Sequence, residues 1–356
     1  PHTLLNRALR LLQTIIQRKG ILSLFTTLTI LLLPLSVQGQ TSNKILINSG
    51  WEMQDAAIIS KEGMKAGWEM ENAAKVPQEG KVISTTKYKP SGWYKATVPG
   101  TVLTTLVNNG VYPEPLYGEN NRPEVIPEYL CYTDWWYRNE VMIPDSYKNK
   151  TIWLNFDGIN YSADIWVNGH RVGPIKGAFI RGNFDITSFV KPGQTAIIAV
   201  RISPQPNTGV PFEHIMGTVG GPCGGVGRLD GPTFGCSNGW DWLSGIRDRN
   251  SGIWQDVFLS ATGHVLMKDP LITSDLPLPR TDIASVTVQT TVQNTTGNVQ
   301  KGIIKGSFDS IKFEKTIEIA PWRSLTFTFD PKDFAQLNIK NPKLWWPNGL
   351  GDQNLY

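Results

Sequence analysis

The feature that most constrains this chain is a series of short β-prone runs separated by turn residues. The stretches 136–143, 151–156, 163–167, 183–187 and 195–202 are rich in Ile, Val, Trp, Phe and Tyr, and each is about one strand long. Asn168-Gly169 directly follows the third run and leads to Arg171-Val172, the pattern of a tight hairpin. Lys191-Pro-Gly separates the last two runs as a turn. Short strands at such regular spacing cannot bury their apolar faces as isolated hairpins. They predict a β-sandwich or jelly roll.

A second all-β module begins at His264. The stretches 285–292 and 325–329 alternate apolar and polar residues, and 302–308 and 315–319 continue the pattern, which predicts an immunoglobulin-like sandwich. Pro270, Pro277 and Pro279 mark 269–280 as a stiff connection into it. One short helix is expected after Val98-Pro-Gly-Thr-Val, with Leu103, Leu106 and Val107 at helical spacing and Asn109-Gly110 as its stop. Between Pro204 and Ser251 the strand pattern gives way to a glycine-rich segment. A loop of that length without its own secondary structure points to function.

The N-terminus has a different character. Arg7, Arg10, Arg18 and Lys19 precede an uncharged stretch, apolar from Ile21 to Leu35 and followed by small or polar residues. Ser23, Thr26, Thr27, Thr29 and Pro34 interrupt the apolar run, which is short for a membrane span. It reads as a secretory signal cut after Gly39, so the protein is expected to be periplasmic or secreted, touching a membrane only through that segment. The expected division is a signal region at 1–39, a jelly roll at 40–262 and an immunoglobulin-like module at 263–356.

The net charge of +4 includes that basic start, and no basic stripe follows, so nucleic acid is not an expected partner. Cys131, Cys223 and Cys236 lack zinc-ligand spacing. In an oxidising compartment Cys223 and Cys236 could close a small loop, or all three could be buried thiols. No cofactor motif and no acidic cluster with metal-ligand spacing is present, so neither cofactor nor metal is expected. The glycines of 217–227 do not lead from a strand into a helix, which weighs against a phosphate cradle. His214 is read as structural. Of Trp135 and Trp136, at the start of a strand, one is expected to face the core and the other a domain interface. Trp345 and Trp346 are assigned to a junction with a further domain.

Several ordered motifs together resemble the non-catalytic N-terminal half of glycoside hydrolase family 2. They are Phe156-Asp-Gly-Ile-Asn, Ile165-Trp-Val-Asn-Gly with Val172-Gly173, Phe184-Asp-Ile-Thr, Ala199-Val-Arg and Ser251-Gly-Ile-Trp-Gln-Asp-Val. Leu344-Trp-Trp-Pro-Asn-Gly and Gln353-Asn-Leu-Tyr resemble the end of the family's second domain. The resemblance implies an all-β chain: a galactose-binding-like jelly roll followed by an immunoglobulin-like sandwich. Val98-Pro-Gly-Thr-Val-Leu, the 110–120 segment, Trp135-Trp-Tyr-Arg and Gly239-Trp-Asp-Trp are similar to the β-mannosidase and exo-β-glucosaminidase branch. Which sugar is taken stays open.

The family is retaining and uses two Glu about 5–5.5 Å apart. They sit on a (β/α)8 barrel that follows the immunoglobulin-like domain. The resemblance therefore implies that the catalytic pair lies beyond Tyr356, and no catalytic residue is assigned here. Glu119, Glu124 and Glu128 are read as solvated loop carboxylates. The resemblance does imply substrate-binding residues, Trp240, Asp241 and Trp242, in the glycine-rich segment. A carboxylate there would accept hydrogen bonds from neighbouring sugar hydroxyls, and an indole would pack on the ring face. The competing assignment puts both Trp in the core with Asp241 capping a turn. The expected substrate is an oligosaccharide or glycoconjugate ending in a β-mannosyl or β-glucosaminyl residue. The alternative is a carbohydrate-binding or adhesion protein without a barrel. Leu355-Tyr356 favours the enzyme, because stopping there would leave the last strand unfinished at an edge.

Overall fold

The structure, a computed structural model, describes residues 44–65, 75–206 and 246–356. Trp240, Asp241 and Trp242 lie outside the described residues, as do His214, Cys223, Cys236 and the basic and apolar N-terminus.

The first module contains, in chain order, β1 (Ile45–Leu46), β2 (Glu52–Asp55), α1 (Ala56–Lys65), α2 (Lys75–Ile83), β3 (Tyr94–Lys95), α3 (Val102–Asn108), β4 (Trp135–Met142), β5 (Thr151–Phe156), β6 (Ser162–Val167), β7 (His170–Lys176), β8 (Gly182–Asp185), β9 (Thr195–Ser203) and β10 (Val257–Thr262). Two antiparallel sheets form, ordered β3-β2-β4-β9-β6-β7 and β1-β10-β5-β8. The period-2 pattern decides which side chains meet between them. Trp135, Tyr137 and Val141 of β4, Ile152, Leu154 and Phe156 of β5, and Ala196, Ile198, Val200 and Ile202 of β9 share one buried core. The hairpin turn forms as the sequence predicts. Asn168 and Gly169 both have positive φ, and the Asn168 side chain accepts from Ile197 N at 2.8 Å and donates to Phe189 O at 2.8 Å.

The six-stranded sheet is buried on its other face too. Ala56 and Ile59 of α1 and Ile83 of α2 cover Trp136, Trp166 and Ala199. Trp136 therefore faces this helical layer rather than a domain interface, while Trp135 lies in the core as expected. The helices were not legible because their apolar contacts come from a sheet face that only pairing creates. A buried carboxylate joins the layer to the sheet. Glu79 accepts from Ser60 Oγ at 2.6 Å and from Trp136 Nε1 at 3.3 Å. Gly80 of α2 packs directly on Trp166, and a Cβ there would stand 2.2 Å from the indole ring. Gly80→Ala should therefore destabilise the protein by about 1–3 kcal/mol despite alanine's better helix propensity. A denaturant midpoint equal to or above wild type would show that α2 is not held this closely.

The second module comprises β11 (Val265–Asp275), β12 (Ile283–Asn294), β13 (Gln300–Phe308), β14 (Ile311–Ile319), β15 (Ser324–Phe329) and β16 (Asn338–Lys340). β12 is central, pairing with β11, β15 and β16, and β13-β14 form a separate hairpin. Phe313, Phe329 and Phe334 cluster over Val292, Ile304, Ile317 and Leu337. The expected connection at 269–280 is corrected here, since residues up to Asp275 belong to β11. Pro270 is tolerated because it falls in the register shift between Lys268 and Leu271, on an edge strand. The modules touch where Thr151 Oγ1 meets Thr295 Oγ1 at 3.2 Å and Arg181 pairs with Asp269 at 2.7 Å. Among the described residues, no helix is long and apolar enough to cross a membrane.

Candidate functional site

One end of the first sandwich gathers the segments that flank the glycine-rich stretch. Residues 246–256 re-enter the fold there without regular structure. Ser251 O accepts from Val102 N at 2.7 Å and Ile253 O from Gly100 N at 2.8 Å, while Gly252 and Asn160 exchange both backbone bonds at 2.9 Å. Gly252 has φ +149°, and a Cβ would meet Gly100 O at 2.6 Å and Thr101 Cα at 2.7 Å. Only glycine allows the two backbones to approach so closely. The closing strand β10 accordingly begins only at Val257.

Charged side chains then fasten this re-entry. Asp248 is buried, accepting from Leu103 N at 2.6 Å and from Asn250 N at 2.9 Å. Burial pushes its pKa up, opposed by these hydrogen bonds and by Arg249. Glu128, on a 3-10 turn (Glu128–Cys131), takes Arg247 on one oxygen and Arg249 on the other, the latter at 2.8 Å. Arg247 also donates through Nε to Asn121 O at 3.1 Å. Asn160 Nδ2 donates to Arg249 O and Asn250 O, both at 3.0 Å, which holds two consecutive residues at positive φ. Beside this lattice, Trp254 donates to Ala178 O at 2.9 Å and meets Phe179 edge-on at 5.8 Å. Phe179 and Ile180 are about half exposed, an apolar rim next to the anchored segment.

Glu128 is thus no solvated loop carboxylate. Its side chain is 11% exposed and engaged by two guanidinium groups, which leaves it a clamp rather than an acid or base. Glu119, by contrast, pairs with Arg122 in solvent, and Glu124 is exposed. Sequence reading missed the clamp because Glu128 and Arg247 are 119 residues apart. The only local sign was the unusual density of charge in Arg247-Asp-Arg, within an otherwise apolar and glycine-rich surrounding. Among the described residues, no cluster of His, Cys, Asp and Glu has the arrangement of a metal site.

This architecture is shared. The family model described as "Glycosyl hydrolase 2 galactose-binding domain-like" matches residues 68–255, and that of "Glycosyl hydrolases family 2" matches 265–356. The chain belongs to glycosyl hydrolase family 2. Within this family it is 31% identical over 278 residues to an exo-beta-D-glucosaminidase of Streptomyces avermitilis, covering 77% of this chain and 27% of the relative. It is 34% identical over 299 residues to a mannosylglycoprotein endo-beta-mannosidase of Lilium longiflorum, covering 76% of this chain and 29% of that one. Among solved structures, the exo-chitosanase of Amycolatopsis orientalis superposes with a TM-score of 0.64 at 25% identity, over 87% of this chain and 30% of the other. The chain therefore spans under a third of the length of the relatives it matches. The two matched regions bear out the jelly roll followed by an immunoglobulin-like sandwich, and the family 2 resemblance with it.

Proposed function

We propose that this chain is the N-terminal, non-catalytic portion of an exported, retaining β-glycosidase that removes terminal β-mannosyl or β-glucosaminyl residues. The observation that carries the reading is the succession of the two matched family 2 regions along this chain, which spans about a quarter to a third of the length of glycosidases of both sugar types. In this reading residues 1–39 are the leader, 40–262 the jelly roll and 263–356 the second sandwich. The acid and nucleophile belong to a barrel encoded downstream. The jelly roll contributes a wall of the pocket through Trp240, Asp241 and Trp242. The segment bearing them returns to the fold at Ile246, and the Glu128 clamp, Asp248 and the Asn160–Gly252 pairing make its root rigid. Loops on a rigid scaffold are where binding residues concentrate.

The test is turnover of aryl β-mannoside and aryl β-glucosaminide by the full-length protein and by the 356-residue chain. Full-length protein should hydrolyse one of the two, and the chain alone neither. Hydrolysis by the chain alone would overturn this placement of the chemistry.

A further inference from the structure

Asn109, Asn168, Asn238 and Asn348 each precede a glycine. Such a pair is chemically labile, because glycine has no Cβ to keep its backbone nitrogen away from the side-chain amide before it. Asn238 lies outside the described residues. The surroundings of the other three differ sharply.

Two of them are locked. Asn168 donates to Phe189 O and accepts from Ile197 N, both at 2.8 Å, while Gly169 N donates to Ser84 Oγ at 3.0 Å. Asn109 donates to Thr105 O at 2.7 Å and to Lys95 O at 3.0 Å, while Gly110 N donates to Val107 O at 2.9 Å. In both pairs the amide and the nitrogen that would attack it are held by other partners. The third pair is not. Asn348 and Gly349 are exposed, and among the described residues neither the Asn348 side chain nor Gly349 N makes a hydrogen bond. They are the central residues of a turn that Leu350 N closes by donating to Pro347 O at 3.0 Å, with Gly349 at φ +82°. A Cβ built on Gly349 would meet no atom within 4 Å, so the space around the pair is open.

We propose that Asn348 is a modification site at which the chain converts its own asparagine to aspartate and isoaspartate without an enzyme. Gly349 N loses its proton and attacks Asn348 Cγ. The new C–N bond closes a cyclic imide, the bond from Cγ to Nδ2 breaks, and that nitrogen leaves as ammonia. Water then opens the imide at either carbonyl. One opening gives aspartate, and the other gives isoaspartate, whose main chain runs through Cβ and Cγ. Both products place a carboxylate in a turn that has none. The iso form also adds a main-chain carbon between Trp346, whose N–H donates to Asp352 O at 2.9 Å, and Leu350.

The experiment incubates the folded 356-residue chain at neutral and mildly alkaline pH and follows its tryptic peptides by mass. The peptide Leu344–Tyr356 should gain the mass of amide-to-acid conversion at least about tenfold faster than the peptides carrying Asn109 and Asn168, which must first open locally and break their hydrogen bonds. It should resolve into aspartate and isoaspartate forms. The rate should rise with pH, because the attacking nitrogen must lose its proton. Asn348→Gln, which would have to close a larger ring, should stop the reaction. In denaturant the three sites should convert at similar rates, since each is then a bare Asn-Gly pair. Equal rates at the three sites in the folded chain overturn the proposal. So does an Asn348 that converts in denaturant but not in the folded protein.

Discussion

Glu128→Ala is expected to destabilise the first sandwich by about 3–5 kcal/mol, the cost of breaking a buried ion pair from one side. Arg247 and Arg249 are 3% and 8% exposed at their side chains, so water cannot replace the carboxylate both of them use. The pair is weak grounds for net stability, because a well-packed apolar replacement of all three groups would do comparably well. Its removal from one side is what costs. Glu128→Gln keeps the shape and one acceptor oxygen, loses the charge and turns an N–H donor toward the other guanidinium, and should still lose less than Glu128→Ala because it leaves no cavity. Denaturant midpoints of both variants check the ordering. A Glu128→Ala midpoint within experimental error of wild type would mean that the guanidinium groups are satisfied without it, and that the 246–253 segment is held by its backbone pairing alone.

The second large effect concerns the pocket and needs the full-length enzyme. If Asp241 accepts hydrogen bonds from two sugar hydroxyls, each bond to its charge contributes about 1.5–3 kcal/mol. Asp241→Ala should then lower kcat/KM roughly 10²- to 10⁴-fold, at 1.4 kcal/mol for each factor of ten. The unfolding midpoint should hardly move. The opposite pattern, unchanged kcat/KM with a lowered midpoint, would return Asp241 to the role of a turn cap and take Trp240 and Trp242 out of the pocket. Because Glu128 holds the root of the segment at 246–253 while the Asp241 substitution addresses sugar binding, the two substitutions separate stability from binding.

Much of the architecture was legible without coordinates. Alternation in Thr151–Phe156 and in Thr195–Ser203 is a local property of the chain, as is the Asn168-Gly169 turn that fixes the register of β6 on β7. The order of family motifs along the chain pointed to the right pair of sandwiches. Boundaries were less legible where a proline can be read two ways. Pro270 looked like a linker residue, yet it sits in an edge strand whose missing N–H has no partner to disappoint. Trp135 and Trp136 show the same limit. Period 2 dictates that they face opposite sides, but not that the far side of this sheet carries helices α1 and α2.

The sequence by itself therefore determined the all-β character, the strands and turns, and the family. Those properties depend on neighbours a few positions apart or on motif order. Only the tertiary structure decided that Glu128 is a clamp and that Gly252 must be glycine. Each of those depends on atoms brought together from segments far apart in the chain. Charge, burial and hydrogen-bond satisfaction exist only once those segments meet.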